Sequence, residues 1–170
     1  LYDEEHYITV RDAIGHLQPI EAGEICINDS LHRSSALSEI NIERIRQSVP
    51  GGTWRDWDEN LKLRCHRKAS GATFPSVYGR MEWDRPSPTM TTQFYGYGNG
   101  RFGHPEQDRA ISLREGAILQ SFPEDYIFAD EQHPVKKREL GTHIGNAVPV
   151  ELGRAIGISI QEHLKEMEVN

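Results

Sequence analysis

Between Ser70 and Arg109 the chain turns to glycine, serine, threonine, proline, arginine and aromatic residues, side chains suited to meeting a nucleic acid. Arginine can donate two parallel hydrogen bonds to guanine, glutamine or asparagine can pair with adenine, and threonine can meet a phosphate or a thymine methyl. Tyr95 to Gly103 is too glycine-rich for a helix, and its glycines would let backbone amides approach phosphates. The Gly–Tyr alternation also suits stacking on single strands. A flexible surface loop has the same composition, so the segment alone leaves these readings open. Further on, Ile144-Gly-Asn-Ala-Val-Pro149 precedes a helix start, where polar groups either meet a ligand or simply make a turn. Cys65-His66 has no second Cys or His pair at ligand spacing, and His104 and His133 stand alone, so no metal site is expected. The first third of the chain offers no nucleophile–base pair.

The elements that must position these residues are partly legible. Ser112-Leu-Arg-Glu115 reads as a capping box opening a short helix through Leu113, Ala117 and Leu119, ended by Phe122-Pro123. Thr9 is expected to cap a helix through Val10, Ile14 and Leu17, stopped near Pro19. A second helix runs from Ser38 or Asn41 to about Val49, ended by Pro50-Gly51-Gly52. Residues 20–37 read as loop, and Trp54 and Trp57 as anchors of an acidic loop on the core. Ser76–Trp83 and Thr89–Phe94 are predicted as strands, parted by Arg85-Pro-Ser-Pro88. Pro134–Leu140 reads as a basic helix. The last helix takes Pro149 into its first turn and repeats Leu152, Ile156, Ile160 and Leu164 on one face.

At 170 residues the chain can hold one domain, or a small domain with an accessory lobe. No apolar run reaches membrane-span length and no signal pattern opens the chain, so no membrane partner is expected. Two cysteines are too few for a disulfide framework, which points to a reducing, cytoplasmic setting. The net charge of −7 argues against a generally basic nucleic-acid binder. It is uneven, however: eight Lys/Arg face four Asp/Glu between Lys62 and Arg109, leaving about −11 on the remainder. The chain opens on Leu1 without an initiator Met, which reads as a piece of something longer.

Together these stretches resemble the cytosine-5 DNA methyltransferases. Arg109-Ala-Ile-Ser-Leu-Arg-Glu-Gly-Ala-Ile-Leu-Gln-Ser-Phe-Pro-Glu-Asp-Tyr126 is similar to the family's ninth motif, and Ile144-Gly-Asn-Ala-Val-Pro149 to its tenth. Tyr78 to Thr92 resembles the target-recognition region that precedes the ninth, and Thr9-Val-Arg-Asp-Ala-Ile-Gly15 the segment after the eighth. The sequence departs from the pattern at Gly116, where Ala is usual, at Thr142-His143, and at Val150, where many members carry a second Pro.

The family's chemistry is methyl transfer from S-adenosylmethionine to C5 of a flipped cytosine, through a thiolate that attacks C6. That requires a Pro-Cys nucleophile, a Glu-Asn-Val segment and a Gly-rich cofactor loop. Neither Cys26 nor Cys65 follows a proline, and Glu59-Asn60 is followed by Leu61. The resemblance therefore implies the C-terminal part of such an enzyme, with no catalytic residue and no activity in isolation. The expected architecture is mixed α+β, a small, irregular, strand-containing recognition lobe flanked by helices. Residues 1–61 would follow the catalytic core, 62–109 would read DNA, and 110–170 would return to the catalytic domain. It implies DNA contacts from Arg80, Arg85, Thr89, Thr91, Thr92, Gln93 and Arg101. Asn146, Ala147 and Val148 would be the cofactor-side residues, and Arg109, Arg114 and Glu115 structural support. Duplex DNA and a separate catalytic domain or subunit are the implied partners, with self-association through the last helix as a further possibility. The alternative is a non-catalytic DNA-binding or regulatory module, or the recognition subunit of a split enzyme.

Overall fold

The computed structural model describes residues 7–130 and 132–168; the start at Leu1 lies outside them. Its elements are α1 (Val10–Ile14), β1 (Ile25–Cys26), β2 (Asp29–Arg33), α2 (Glu39–Gln47), α3 (Leu113–Leu119), α4 (Lys137–Asn146) and α5 (Val150–Glu168), with short 3₁₀ turns between α2 and α3. The architecture is a mixture of helices and one small two-stranded antiparallel sheet, β1–β2.

Two helices begin where local chemistry says they should. Thr9 accepts from the Asp12 amide while the Asp12 carboxylate accepts from the Thr9 amide, and Ser112 and Glu115 repeat this reciprocal box at α3. α2 starts at Glu39, within the expected span, although Ser38 makes no side-chain cap bond. Trp54 and Trp57 are buried as expected: Trp54 stacks on His66 at 4.1 Å, and the Trp57 indole donates to Ser48 Oγ at 2.8 Å.

The predicted strands are not formed. Ser76–Trp83 collapses to a single bridge position at Arg80, between Pro50 and Gly103, because Tyr78 at φ 60° turns the chain immediately before it. Thr89–Phe94 ends in tight turns, with the Phe94 amide donating to the Thr91 carbonyl at 3.3 Å and Gly96 to Gln93 at 2.9 Å. This segment finds helices rather than a strand partner. Conversely, the stretch read as loop holds the β1–β2 hairpin, with the Leu31 amide tied back to Asp29 Oδ1 at 2.9 Å. α4 also runs on through Gly145 and Asn146, which the sequence suggests as a turn.

Two apolar clusters carry the packing. One joins Val10, Ile14, Leu31, Met81, Phe94, Phe102, Ile111, Leu113, Ala117 and Ile144, and so draws on all three sequence regions. The other gathers Ile45, Trp54, Trp57, Leu61, Tyr97 and Ala110. Residues 102–111 run between them, with Met81 donating to Gly103 at 2.8 Å and Ile111 to Phe102 at 2.9 Å. α3 packs on α1, α4 and β2, and its Gly116 admits the Phe94 ring: a Cβ there would lie 2.1 Å from that ring. The departure from Ala at this position thus has a packing cause.

At the N-terminus of α3 the buried Glu115 carboxylate meets the Arg109 guanidinium through two 2.7 Å bonds and accepts from the Ser112 amide at 2.6 Å. Burial pushes the carboxyl pKa up, but the Arg109 bonds and charge outweigh it and hold the group below its usual range. Glu115→Ala is expected to destabilise the fold by about 3–5 kcal/mol, because it strands a buried guanidinium; urea unfolding will measure it. Nearby, His104 Nδ1 accepts from the Glu106 and Gln107 amides at 3.1 and 2.9 Å, and burial lowers its pKa to about 4. The unfolded chain then binds the extra proton first, so stability should fall as pH drops from about 6.5 towards 4. The Glu115 contribution is lost below that, and His104→Gln should flatten the upper part of the slope in urea titrations at stepped pH.

Candidate functional site

The C-terminal end of α3 builds the site. The chain leaves the helix through a two-bond closure, Phe122 N donating to Ala117 at 3.0 Å and Ser121 N to Ile118 at 2.7 Å, with Ser121 in the left-handed region at φ 58°. From there the buried Gln120 side chain donates to the carbonyls of Ile144 and Ala147 at 3.0 and 3.2 Å. The Gln120 carbonyl accepts from Val150 N at 3.2 Å, and Ser121 Oγ accepts from Glu151 N at 3.0 Å. Both ends of the α4–α5 turn are therefore held by one dipeptide.

Against this turn lies a cleft with a cavity volume of about 470 Å³. Ser87, Pro88, Thr89 and Met90 form one wall, Leu119 and Gln120 the floor, and Gly145, Ala147, Pro149 and Leu152 the other wall. Thr91 presses against α4: a Cβ on Gly145 would sit 2.2 Å from the Thr91 carbonyl oxygen, so only glycine permits this approach. The glycine that suggested a turn serves instead as a docking surface within a helix.

Among the sequence-predicted residues, Thr89 and Ala147 both line the cleft. Asn146 and Val148 are exposed beside Ala147, Asn146 as the last residue of α4. Arg85, Thr91 and Gln93 are exposed and Thr92 is half-buried on the continuous segment that leads past the cleft. Arg101 lies elsewhere, half-buried beside Gly79, donating to the Gly52 carbonyl at 2.8 Å.

Arg80 corrects the sequence expectation. It is buried, its Nε donates to the carbonyls of Ile45 and Ser48 at 3.0 and 2.9 Å, and its Nη1 to those of His104 and Gln107 at 2.9 and 2.6 Å. Its remaining nitrogen pairs with Asp108. A guanidinium so engaged is a structural crosslink and presents nothing to a ligand. Arg114 is also engaged, with Asp29 at 2.6 and 3.2 Å and with the Glu124 carbonyl at 2.8 Å, which ties α3 to β2. Burial raises the Asp29 pKa, but these bonds prevail and hold it below the usual carboxylate range.

Gln120 and Ser121 escaped sequence reasoning. The one available signal was a non-glycine residue where the helix must close, just before Phe122-Pro123. Among the described residues no three His, Cys, Asp or Glu side chains converge as a metal site, and no helix is long and apolar enough to cross a membrane.

The family model for the C-5 cytosine-specific DNA methylases matches residues 6–162. The type II methylase M.HgiDII of Herpetosiphon aurantiacus is 58% identical over 161 residues, covering 95% of this chain and 45% of that protein. DNA (cytosine-5)-methyltransferase 3 of Arabidopsis thaliana is 35% identical over 182 residues, 92% of this chain and 13% of that protein. The type II methyltransferase M1.BsuMI of Bacillus subtilis is 42% identical over 94 residues, 55% of this chain and 21% of that protein. The chain thus spans less than half the length of these relatives. It belongs to the C-5 cytosine-specific DNA methylase family.

Proposed function

We propose that this chain is the DNA-recognition and cofactor-pocket-completing part of a DNA (cytosine-5-)-methyltransferase. The observation that carries this reading is the cleft that Thr89, from the DNA-facing segment, and Ala147, from the cofactor-side turn, line together. The curated relatives are methylases in which this chain's counterpart is a minor part of the length, which supports a reaction completed by residues elsewhere. S-adenosylmethionine, when bound, supplies the methyl group.

The cleft fits one wall of a pocket for that cofactor. Its lining offers the hydroxyls of Ser87 and Thr89 and the apolar faces of Met90, Leu119 and Leu152, and it contains no carboxylate to meet a positively charged sulfonium or ammonium group. Asn146, Ala147 and Val148 would border the bound cofactor, and a facing catalytic domain would close it in. The exposed Arg85, Thr89, Thr91 and Gln93, with Thr92, would meet the duplex, and Arg101 would add a contact with the part of its guanidinium not directed at Gly52. The apolar face of α5, with Leu152, Ile156, Ile160 and Leu164 all half-exposed, would pack on the catalytic domain. Without that domain, a second copy of the chain is the other available cover.

Duplex binding by the chain should be salt-sensitive, because counterions leave the phosphates that it neutralises. Arg85→Ala together with Arg101→Ala should weaken binding and reduce the salt slope by about 1 to 2, measured by fluorescence anisotropy. Arg80→Ala should instead lower stability by about 3 kcal/mol in urea unfolding, because it removes the buried crosslink that joins Ile45, Ser48, His104, Gln107 and Asp108. Arg85→Ala alone should shift stability by no more than about 0.5 kcal/mol. Unchanged duplex binding by the Arg85/Arg101 variant would remove these two residues from the interface.

Incubated with labelled S-adenosylmethionine and cytosine-containing duplex, the chain alone should transfer no methyl group. Combined with the part of M.HgiDII that it does not match, it should restore transfer. Transfer by the chain alone would overturn the fragment role. Duplex binding without transfer in the combination would favour the non-catalytic module instead.

A further inference from the structure

The first two amides of α5 have no partner within their own helix, since the first four N–H groups of any α-helix lack one. Here Val150 N is taken by the Gln120 carbonyl and Glu151 N by Ser121 Oγ, while the Gln120 side chain takes the Ile144 and Ala147 carbonyls at the other end of the turn. The Ser121 hydroxyl donates to the Gln120 carbonyl at 2.7 Å, linking the two acceptors. Ser121 reaches this place only by holding φ 58°, a conformation that glycine adopts freely and a side chain does not. In a position suited to glycine, this serine puts its hydroxyl to use, as the acceptor for the Glu151 amide of α5.

From this geometry we propose that Gln120–Ser121 is a positioning pair. It sets the α4–α5 turn, and with it Asn146, Ala147 and Val148, against the cleft that Thr89 and Ala147 both line. The proposal rests on the reading of that turn as cofactor-side. Its consequence is specific: the pair acts on cofactor affinity through the turn. The DNA-facing segment has a seat of its own, Phe94 on Gly116, in addition to the contact of Thr91 with Gly145 inside the span that Gln120 holds.

Ser121→Gly is the cleanest variant, because relief of the left-handed strain offsets the lost cap and leaves global stability nearly unchanged. Gln120→Glu removes the amide donor and places a carboxylate against two carbonyls. Ser121→Asn keeps an acceptor and tolerates the left-handed region, so it serves as the rescue. In amide hydrogen exchange on the full chain, Ser121→Gly and Gln120→Glu should speed exchange at Val150 and Glu151 by roughly five- to tenfold, the factor carried by one lost cap or buried hydrogen bond. Exchange at Met81 and Ile111 should not change, and Ser121→Asn should restore protection. Unchanged exchange at Val150 and Glu151 in both variants overturns the clamp.

In the chain combined with the unmatched part of M.HgiDII, both variants should raise the KM for S-adenosylmethionine and the Kd for S-adenosylhomocysteine by about the same five- to tenfold factor. The KM for DNA and kcat should stay within about twofold. Equal rises in the cofactor and DNA KM values would show a merely structural role and overturn the positioning assignment. Failure of the unmutated combination to bind S-adenosylhomocysteine at all would overturn the cofactor-side reading and the positioning role built on it, with the clamp itself decided by the exchange measurement.

Discussion

The buried pair of Arg109 and Glu115 is the constraint on which the rest of the structure depends. Glu115 is both the far residue of the α3 capping box and the partner of a fully buried guanidinium. Arg109 also donates to the Ile20 and Ala110 carbonyls at 3.0 and 3.1 Å and to Gln107 Oε1 at 2.8 Å. Ser112, the cap itself, bonds to the buried His32 at 2.9 Å, which reaches the Gln18 carbonyl at 2.8 Å. Desolvating two charges costs several kcal/mol per ion, and such a pair persists only when its remaining donors and acceptors are met. Here they are met by two separate stretches of chain, at Ile20 and at residues 107–112. The pair therefore does little for net stability compared with an apolar packing, but it fixes where α3 begins and in which direction it runs.

The geometry of the candidate site follows from that direction. Along the body of α3, Gly116 receives the Phe94 ring and so seats the end of the Thr89–Phe94 segment. At its other end, Gln120 and Ser121 hold the α4–α5 turn. One seven-residue helix thus sets the two walls of the cleft, and a displacement at its N-terminus would move both. The arginines divide on the same principle. Arg80 and Arg109 lie inside, paired with Asp108 and Glu115, whereas Arg85 is exposed. Part of the positive excess between Lys62 and Arg109 is therefore internal and neutralised, and the basic face is smaller than the count of charges implies.

What was legible in the sequence is what depends on neighbours three or four residues away. The helix cap at Thr9, the capping box at Ser112, the α5 periodicity and the Trp54–Trp57 anchors need only local pattern or plain hydrophobicity. What was not legible depends on contacts far along the chain. Thr89–Phe94 has strand-forming residues but no strand to pair with. Gly145 signals a turn by composition and is a helix glycine because the Thr91 carbonyl needs its space. Arg80 is indistinguishable by type from a DNA-facing arginine until four distant carbonyls and Asp108 surround it. The family resemblance came from motif order, which survives such errors because it does not rely on knowing where each side chain points.

α5 leaves the site through one held turn and then presents an exposed apolar stripe. It is 19 residues long, its first turn is held by Gln120 and Ser121, and its apolar residues from Leu152 to Met167 are exposed. A helix of that length gains most of its stability from burying a face rather than from propensity. The first turn therefore fixes the axis along which the exposed stripe is presented, and α3 fixes the first turn. A domain that covered the stripe would be set against the same cleft wall that carries Ala147. Docking and closure of the cofactor-side pocket would then be one geometric event, governed by the ion pair at the opposite end of α3.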